Sequence, residues 1–301
     1  MKKKICIICP IYNEEDSINI FYTRILKVID RYKDFQFEIF FSDNDSSDGS
    51  YKKVRAISNK DKRVKLIKLS RNFGYQNSLM AALNFINASS YIIIDVDCED
   101  PPEMVDKFIK FWKEGFDIVY GIRKYRSEPK YLIILRKLYY RFMKFIADYN
   151  FILDMAEFSL IDKKVRDEII KVNDTFPFIR NEIAYLGFTK KGIEYKREKR
   201  VAGKTHYNYF NMVKFGLTGA LTSSTFFLRI NIYFFLLIVL VNIFFLIQSY
   251  SDFFSIKLIL IINLTYISYA ACFISLYISR IYKNIVSRAR YVIDLSKSIN
   301  L

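Results

Sequence analysis

The sequence predicts an α/β domain, built on a mostly parallel sheet with helices on both faces, followed by a hairpin of two apolar helices. Short apolar runs alternate with amphipathic segments over the first 112 residues, an alternation typical of parallel sheets covered by helices. Polar and acidic segments follow three of these apolar runs, at the strand ends where such sheets bind ligands. Two stretches of 18 and 21 residues near the C-terminus carry no charge.

Each predicted strand is a short run rich in Ile, Val, Phe or Leu, and each predicted helix has apolar residues at helical spacing. The first strand contains Cys6 and Cys9, but residues three apart on a strand face opposite ways, so we expect reduced core thiols without a disulfide or zinc. In chain order, the elements are strand Ile5–Cys9, helix Ser17–Ile29, strand Phe37–Phe41, helix Asp48–Ser58, strand Val64–Leu69, helix Gln76–Ile86, strand Tyr91–Ile94 and helix Pro102–Trp112.

The two uncharged stretches, Ile230–Ile247 and Leu258–Ile278, are predicted membrane spans. At 1.5 Å per residue, each is about long enough to cross a hydrocarbon core of roughly 30 Å. Buried core helices are the alternative, but two such stretches in tandem favour a membrane hairpin. The ten-residue link between them allows only an antiparallel turn, so both flanks of the hairpin lie on one side of the membrane.

Basic residues are concentrated on the flanks of this hairpin. Arg229 precedes it and five Lys or Arg residues follow it, whereas the link holds only Lys257 and Asp252. The bias of Lys and Arg toward the cytoplasm predicts a multi-pass protein whose N-terminal domain and C-terminus are cytoplasmic. Residues 1–229 carry a net charge of +12, which favours an anionic membrane surface. Nucleic acid is not the expected partner, because the sequence has no nucleic-acid-binding motif.

The chain divides into four segments. Residues 1–206 form the cytoplasmic domain, 207–229 an amphipathic juxtamembrane segment, 230–278 the hairpin and 279–301 a basic cytoplasmic tail. Within the domain, 130–153 mixes Leu, Ile, Tyr and Phe with Lys and Arg, a composition typical of a helix in the plane of the lipid headgroups. Packing as a core helix is the alternative for this segment.

The most chemically specific stretch follows the strand Tyr91–Ile94. Asp95 and Asp97 are spaced two apart, so on an extended strand their carboxylates point to the same side. Mg²⁺ is usually held by one or two carboxylates together with substrate phosphates, so this pair predicts a nucleotide-diphosphate site. The alternative is an acidic helix start before Pro102. The polar segments after two other strands favour the ligand site, because all three meet at one edge of a parallel sheet.

Several motifs together resemble the family 2 inverting glycosyltransferases. The N-terminal ones are Pro10-Ile-Tyr-Asn-Glu14, Asp43 with Ser46-Ser-Asp-Gly-Ser50, Leu69-Ser-Arg-Asn-Phe-Gly74 and Asp95-Val-Asp-Cys-Glu-Asp-Pro-Pro-Glu103. Gly115–Arg123, Phe178–Arg180, Leu186–Phe188 and Arg200–Tyr207 extend the match to the branch that includes dolichyl-phosphate mannose synthase and bactoprenol glucosyltransferases. Each motif is weak by itself, whereas their joint order is specific.

The resemblance implies a GT-A fold and inverting transfer of a sugar from a nucleotide sugar, with UDP the expected nucleotide, to polyprenyl (undecaprenyl) phosphate. It also implies Mg²⁺ or Mn²⁺, a bacterial-type plasma (inner) membrane and a homo-oligomer assembled through membrane segments. By position, the nucleotide sugar would be bound by Pro10, Tyr12, Glu14, Asp43, Asp95, Val96, Asp97 and Arg200. The metal would be bound by Asp95, Asp97 and Glu99, and phosphates of donor or acceptor by Arg123, Arg136, Arg200 and His206. We expect the catalytic residues to be Asp97, as the principal metal ligand, and Glu157, as an acceptor-side acid or a positioning group.

Three departures from the family pattern fall in the implied site. Glu99 stands where the family usually has Gln, which adds negative charge and should tighten metal binding. A Gly-Asp-Phe-Arg-Leu motif becomes Ala156-Glu157-Phe158-Ser159-Leu160, which keeps the acid and loses the arginine. The single histidine, His206, replaces a lysine. Both His206 and Arg136 have an alternative as solvated surface residues.

The acceptor chemistry implied by the resemblance needs little proton transfer. A phosphate monoester has a second pKa of roughly 6 and is mostly dianionic at neutral pH, so a strong general base is not required. We expect catalysis to be electrostatic, with a metal and arginines offsetting the charge of two phosphates. The alternatives are a transferase of the same family that acts on a glycan or glycolipid, and a non-catalytic, membrane-anchored protein that binds nucleotide sugar.

Overall fold

The computed structural model describes residues 2–125, 130–148, 152, 155–172, 174–202, 209–248, 253–286 and 288–301. The strands are Lys3–Ile11 (β1), Phe35–Asp43 (β2), Val64–Leu69 (β3), Ser90–Ile93 (β4), Ile118–Tyr125 (β5), Met155–Asp162 (β6), Lys190–Lys196 (β7) and Ile293–Ile299 (β8). The helices are Glu15–Ile29 (α1), Ser50–Lys60 (α2), Tyr75–Phe85 (α3), Val105–Lys113 (α4), Lys130–Ile146 (α5), Lys163–Ile169 (α6), Ile179–Tyr185 (α7), Tyr209–Ser223 (α8), Phe226–Gln248 (α9) and Phe253–Val286 (α10). The four strands and four helices predicted for the N-terminal part are all present.

The strands form one mixed sheet in the order β7-β5-β6-β4-β1-β2-β3-β8. β1 pairs in parallel with β2 and β4, and β2 pairs in parallel with β3, because helical crossovers return the chain to the same end of the sheet. β6 runs antiparallel to β4 and β5, and β7 runs parallel to β5. The start of β6 therefore lies at the same sheet edge as the ends of β1 to β5 and β7. This edge is called the carboxyl edge below.

Helices cover both faces of the sheet, as predicted. Alternate residues of β1 from Ile5 to Ile11 pack with α1, α2 and α4, whereas Cys6 and Ile8 face α3, α6 and α7. This alternation follows from the two-residue period of a strand and buries both sheet faces. Cys6 and Cys9 are buried on opposite faces of the sheet, as expected of core residues three apart on a strand, and burial raises the pKa of both thiols. Their reduced state stays a prediction.

The segment 279–301, expected as a basic tail, contains the end of α10 and the edge strand β8. β8 pairs antiparallel with β3, with Ile293 opposite Leu69. Beyond the strand, Asn300 Nδ2 donates to the carbonyl oxygen of Val64 at 3.0 Å. The chain thus returns from α10 to the carboxyl edge and covers the outer side of β3, which would otherwise expose unpaired backbone groups.

Helix α5 has two different faces. Met143 and Ile146 are buried against Ala220 of α8, whereas Leu138 is 57% exposed and Phe145 is 78% exposed. Within the segment 130–153, helix α5 therefore combines features of both interpretations: one face packs against another helix, and the other presents exposed apolar side chains.

Helices α9 and α10 form the expected antiparallel pair. Asn242 and Asn263 exchange amide hydrogen bonds of 3.1 and 3.3 Å between them, and the rings of Phe227 and Phe273 stack at 4.9 Å. The apolar parts extend over Phe226–Ile247 and Ile256–Val286, beyond the predicted 230–247 and 258–278, and by length and composition both could cross a membrane. Hydrogen bonds between carboxamides are a common way to join such helices.

Candidate active site

The strand register brings segments rich in acidic and polar side chains together at the carboxyl edge. β1 and β2 end together, with Ile11 opposite Asp43. Ile93, which ends β4, is opposite Ser159 near the start of the antiparallel β6. The residues that follow β1, β2 and β4 and those that begin β6 therefore line one edge, where ligands bind in sheets of this kind.

The loops after β1 and before α2 are locked to one another. The backbone N–H of Asn13 donates to Ser46 Oγ at 3.0 Å, and that of Glu14 donates to Ser50 Oγ at 2.8 Å. In return, the N–H of Ser47 donates to Asn13 Oδ1 at 2.8 Å. Asn13 adopts a left-handed backbone with φ 56°, a conformation that asparagine tolerates better than most residues. These bonds fix one wall of the candidate site.

Asp43 lies at the base of this wall. Its side chain is fully buried and accepts hydrogen bonds from the N–H of Ser46 at 2.8 Å and from Lys68 Nζ at 3.3 Å. Pro10 is buried on the adjacent strand, and Tyr12, just beyond it, is 38% exposed. The structure therefore places Pro10, Tyr12 and Asp43, three expected nucleotide-binding residues, at the same end of β1 and β2.

Asp95 is a half-buried carboxyl held by a tyrosine. The hydroxyl of Tyr75, at the start of α3, donates to Asp95 Oδ1 at 2.8 Å. Desolvation, together with the negative charges of Asp97 and Asp100, raises the pKa of Asp95 to about 8. The ionised form of Asp95 is therefore disfavoured by its acidic neighbours. The local environment therefore favours a bound cation.

The two aspartates are brought together by a turn and not by strand alternation. β4 ends at Ile93, so the extended strand expected to align the pair stops before them. Val96 is buried within this turn, and Cys98 has a left-handed backbone with φ 57°. The N–H of Glu99 donates to Asp97 Oδ1 at 3.0 Å, which orients the carboxylate of Asp97 within the turn.

Residues 197–202, which follow β7, cross this turn and are called the strap below. Two backbone N–H groups of the strap donate to the turn: that of Glu198 to the carbonyl oxygen of Glu99 at 2.9 Å, and that of Val201 to the carbonyl oxygen of Asp97 at 3.3 Å. The strap is therefore fastened to the backbone of the candidate metal-binding segment.

Two arginines of the strap contact the acidic side chains beneath it. Arg197 forms an ion pair with Glu99, and Arg200 forms one with Glu14. Arg200 Nη2 also lies 3.7 Å from Asp97 Oδ2. The structure thus brings together Glu14, Asp97 and Arg200, as expected for nucleotide-sugar binding. Glu99, which was expected as a metal ligand, contacts Arg197 through Oε2, and its role as a ligand stays a prediction.

Arg123 is near the site but is paired within the chain. Its guanidinium donates to Asp100 from Nε at 3.2 Å and from Nη2 at 2.7 Å, and from Nε to the hydroxyl of Tyr195 at 3.1 Å. The side chain of Asp100 is only 3% exposed, so this bidentate pair is fixed in the core. Arg123 was expected to contact phosphate; in the structure its charge has an internal partner in Asp100, and contact with phosphate stays a prediction.

Glu157 lies near the start of β6, the strand that pairs with β4 on the side away from β1. Gln76 Nε2 donates to Glu157 Oε1 at 3.3 Å, and the same amide accepts from the N–H of Ile179 at 3.0 Å. Arg180 Nε lies 4.0 Å from Glu157 Oε1. Burial raises the pKa of Glu157, and the positive charge of Arg180 partly offsets that rise.

Five site residues were absent from the sequence prediction: Tyr75, Gln76, Asp100, Arg180 and Arg197. Four had a usable signal. Tyr75 and Gln76 directly follow a motif that ends at Gly74, while Asp100 and Arg180 lie inside quoted motifs. Arg197 had none, because its partner Glu99 is 98 positions away in the chain.

Two expected phosphate-binding residues lie outside what the structure describes. His206 falls in 203–208, and the side chain of Arg136 is not described, although its backbone belongs to α5. Their assignments remain predictions.

The residues present fit a divalent cation that shares its coordination with a substrate. Among the described residues, no three His, Cys, Asp or Glu side chains form a complete metal cage. Asp95 and Asp97 supply hard oxygen ligands, which Mg²⁺ and Mn²⁺ prefer, and Mg²⁺ commonly completes its shell with substrate phosphates and water. The raised pKa of Asp95 adds to this fit, because a cation would relieve the repulsion between the two acids.

Comparison with known proteins identifies the family. Residues 6–170 match the model of glycosyl transferase family 2. The chain is 35% identical over 219 residues to YkcC of Bacillus subtilis (strain 168), an uncharacterized glycosyltransferase, in an alignment covering 72% of this chain and 68% of YkcC. It is 30% identical over 233 residues to the prophage bactoprenol glucosyl transferase homolog of Escherichia coli (strain K12), with coverage of 76% and 75%.

The fold has counterparts among solved structures. Glucosyl-3-phosphoglycerate synthase from Mycobacterium tuberculosis, solved with Mn²⁺, uridine diphosphate and phosphoglyceric acid, aligns with a TM-score of 0.50 at 15% identity, covering 71% of this chain and 75% of that one. The expected GT-A architecture, followed here by two apolar helices, is confirmed. The chain belongs to glycosyl transferase family 2 and is a glycosyltransferase.

Proposed function

We propose that this glycosyltransferase moves a sugar, with inversion, from a UDP-linked donor to a polyprenyl phosphate at the cytoplasmic face of a bacterial-type plasma membrane. The observation that carries the proposal is the connection between the carboxyl edge and the apolar helices. Asn181 of α7 donates from Nδ2 to Ser223 Oγ of α8 at 2.7 Å, and α9 begins three residues later. A lipid-borne acceptor would meet the site at this connection.

The donor would bind over the ends of β1, β2 and β4. Asp43 offers a buried carboxylate for the base, with Pro10 and Tyr12 beside it, and Arg200 offers a guanidinium for the diphosphate. Asp95 and Asp97 would hold Mg²⁺ or Mn²⁺, with Asp97 the principal ligand, and the ion would neutralise the charge that develops on the leaving diphosphate. We assign Glu99 the role of holding the strap in place through its ion pair with Arg197.

The main barrier is electrostatic. An anionic acceptor must approach the anomeric carbon while a second anion departs from it, and the two repel each other. Fixed positive groups lower this barrier because they need no reorganisation during the reaction. Arg200 lies on the strap next to Asp97, whereas Arg180 lies next to Glu157 at the start of β6, so the site carries separate positive groups at two places along the carboxyl edge.

Support for a lipid acceptor comes from the apolar helices and from the relatives. Two helices long and apolar enough to cross a membrane follow the catalytic domain, and the Escherichia coli relative is named a bactoprenol glucosyl transferase homolog. The exposed apolar face of α5, with Leu138 and Phe145, would lie in the headgroup region. Assembly into a homo-oligomer through α9 and α10 remains a prediction.

The orientation proposed for the membrane places both ends of the hairpin in the cytoplasm. β8 pairs with β3, so residues after the hairpin must lie on the same side as the domain before it. The five basic residues after Ile278, where the predicted second span ends, favour the cytoplasmic side. A reporter fused after Leu301 should be active only in its cytoplasmic form, and a periplasmic signal would contradict this orientation.

A transfer assay in membranes tests the function. Membranes containing the protein are incubated with radiolabelled UDP-sugars, and the label is separated into polyprenyl phosphate, glycolipid and glycan fractions. We expect label in polyprenyl phosphate that is absent from membranes without the protein. Label only in glycan or another glycolipid would favour the alternative acceptor.

A further inference from the structure

Arg180 has a partly unsatisfied guanidinium at the carboxyl edge. Its Nη1 donates to the carbonyl oxygen of Met155 at 3.0 Å, and its Cζ lies 5.2 Å from the ring centroid of Phe178. Its Nε is buried and has no hydrogen-bond partner among the described residues. The nearest carboxylate oxygen, Glu157 Oε1, is 4.0 Å away, too far for a hydrogen bond. A buried guanidinium N–H without a partner is costly unless a ligand completes it.

The surroundings of Arg180 hold it in place without neutralising it fully. Gln76 bridges Glu157 and the N–H of Ile179, the residue before Arg180, with bonds of 3.3 and 3.0 Å. The side chain of Arg180 is 18% exposed and that of Glu157 is 16% exposed, so both are largely desolvated but reachable from outside. The amide therefore fixes the start of α7 relative to the carboxylate, and the guanidinium is presented at a defined position.

Arg180 also lies where the sheet meets the helices that precede the hairpin. The next residue, Asn181, bonds to Ser223 of α8 at 2.7 Å. Tyr139 of α5 donates from its hydroxyl to the carbonyl oxygen of Gly216 in α8 at 2.8 Å. Arg180 is therefore adjacent in the chain to a residue that contacts α8, the helix that leads into α9.

We propose that Arg180 binds the phosphate of the lipid acceptor, with Glu157 and Gln76 positioning its guanidinium. This inference rests on the proposed function and assigns the acceptor end of that site. A guanidinium presents paired N–H groups that match the oxygens of a phosphate monoester, and the open Nε gives it one such donor. The donor diphosphate has a separate arginine, Arg200, which contacts Glu14 on the loop after β1.

Steady-state kinetics with two varied substrates test the assignment. Arg180→Gln, Arg180→Lys and the unchanged protein are compared in detergent with undecaprenyl phosphate and with whichever UDP-sugar the unchanged protein transfers. Arg55→Gln, at an exposed position on α2, is the matched control for loss of one positive charge. Thermal unfolding of each variant verifies that it is folded.

We expect Arg180→Gln to raise the KM for undecaprenyl phosphate roughly ten- to hundredfold, the loss associated with one charge-assisted hydrogen bond. The KM for the UDP-sugar should change by less than about twofold. The acceptor KM of Arg180→Lys should fall between those of the unchanged protein and Arg180→Gln, because lysine keeps the charge but lacks the paired N–H groups of a guanidinium. An unchanged acceptor KM in a folded Arg180→Gln, or equal rises for both substrates, would overturn the inference. A folded unchanged protein that gives no lipid product would instead overturn the proposed function, and this inference with it.

Discussion

Arg200 reaches Asp97 from the strap, with Nη2 3.7 Å from Asp97 Oδ2, and it also contacts the carboxylate of Glu14. A positive group of the chain itself therefore lies beside the acid that we assign as the principal metal ligand. A diphosphate bound at this position would replace carboxylate oxygens as the partner of Arg200, since phosphate accepts the same charge-assisted hydrogen bonds.

The first prediction concerns this arginine. Arg200→Gln should raise the KM for the donor by roughly tenfold or more, because a hydrogen bond to a charged group contributes about 1.5–3 kcal/mol. The KM for the acceptor should change less. Initial rates with both substrates varied provide the measurement, with Arg55→Gln as control, and an unchanged donor KM would remove Arg200 from the donor site.

A second prediction concerns the ion pair between Glu99 and Arg197. Their side chains are 24% and 29% exposed, so removing one partner leaves the other charge partly desolvated without compensation. We expect Glu99→Gln and Arg197→Gln each to lower the thermal midpoint and to raise the donor KM. The double variant should be no less stable than either single variant, so that the two substitutions are coupled by about 1 kcal/mol.

The outcome of this double-mutant cycle also separates two roles for Glu99. If Glu99 were a metal ligand, Glu99→Gln would raise the metal concentration needed for half-maximal activity whether or not Arg197 was present. Strictly additive effects of the two substitutions would contradict the fastening role assigned to this pair.

Glu157 gives a pH-dependent prediction. Burial raises its folded-state pKa above the unfolded value, so its stabilising contribution is complete below the unfolded pKa and is lost as pH rises through the folded pKa. Glu157→Gln removes the ionisable group. The thermal midpoint of this variant, relative to that of the unchanged protein, should therefore rise between about pH 4 and neutrality, starting near the ordinary glutamate pKa.

The same variant should be a poorer enzyme, because Glu157 and Gln76 define the position of Arg180. Thermal unfolding across the pH range, together with transfer rates at neutral pH, measures both effects. If the midpoint of Glu157→Gln falls relative to that of the unchanged protein as pH rises, the assignment of Glu157 as an acid with a raised pKa is contradicted.

A fourth prediction concerns β8. The N–H of Lys68 donates to Ser298 Oγ at 3.3 Å, and Lys68 Nζ contacts Asp43 at 3.3 Å, so the C-terminal strand supports the residue that holds Asp43. Deleting residues 291–301 should lower the thermal midpoint by about 4 °C or more, since 1 kcal/mol shifts a chain of this size by about 2–4 °C. It should also raise the donor KM.

A milder variant weakens the attachment of the C-terminal residues without exposing the edge of β3 or removing the contact of Ser298 with Lys68. Asn300→Ala removes two hydrogen bonds, to Ser58 and Val64, and should have a smaller effect on stability and little effect on the donor KM. A deletion that leaves both quantities unchanged would show that β8 does not support the nucleotide side of the site.

The sequence predicted the N-terminal half of the fold well, because its strands and helices are local patterns. The strand expected at Phe37–Phe41 is Phe35–Asp43 in the structure, a difference only at the ends. β8 was missed because the apolar alternation over Ile293–Ile299 is broken at Lys297, and because its partner β3 lies more than 200 positions away. Such a pairing is set by tertiary contacts and not by propensity.

The candidate site was predictable in its acids and less so in their partners. Asp95 and Asp97 could be identified from their spacing, although a turn and not a strand brings them together. The proximity of Arg180 to Glu157 depends on β6 running antiparallel to β4, which no local pattern indicates. The contact of Arg123 with Tyr195 likewise required the register of β5 and β7.

The central claim is that Asp95 and Asp97 serve transfer of a sugar to a polyprenyl phosphate. Its most direct test incubates the purified protein and its Asp97→Asn variant with undecaprenyl phosphate, Mg²⁺ or Mn²⁺ and a panel of UDP-sugars, and identifies the lipid product by mass. We predict that the unchanged protein adds one sugar residue to undecaprenyl phosphate from a single donor, and that Asp97→Asn reduces this product by a factor of roughly 100 or more, the scale associated with loss of a key electrostatic group. Equal product from both proteins, or sugar transferred only to a different acceptor, would contradict the account.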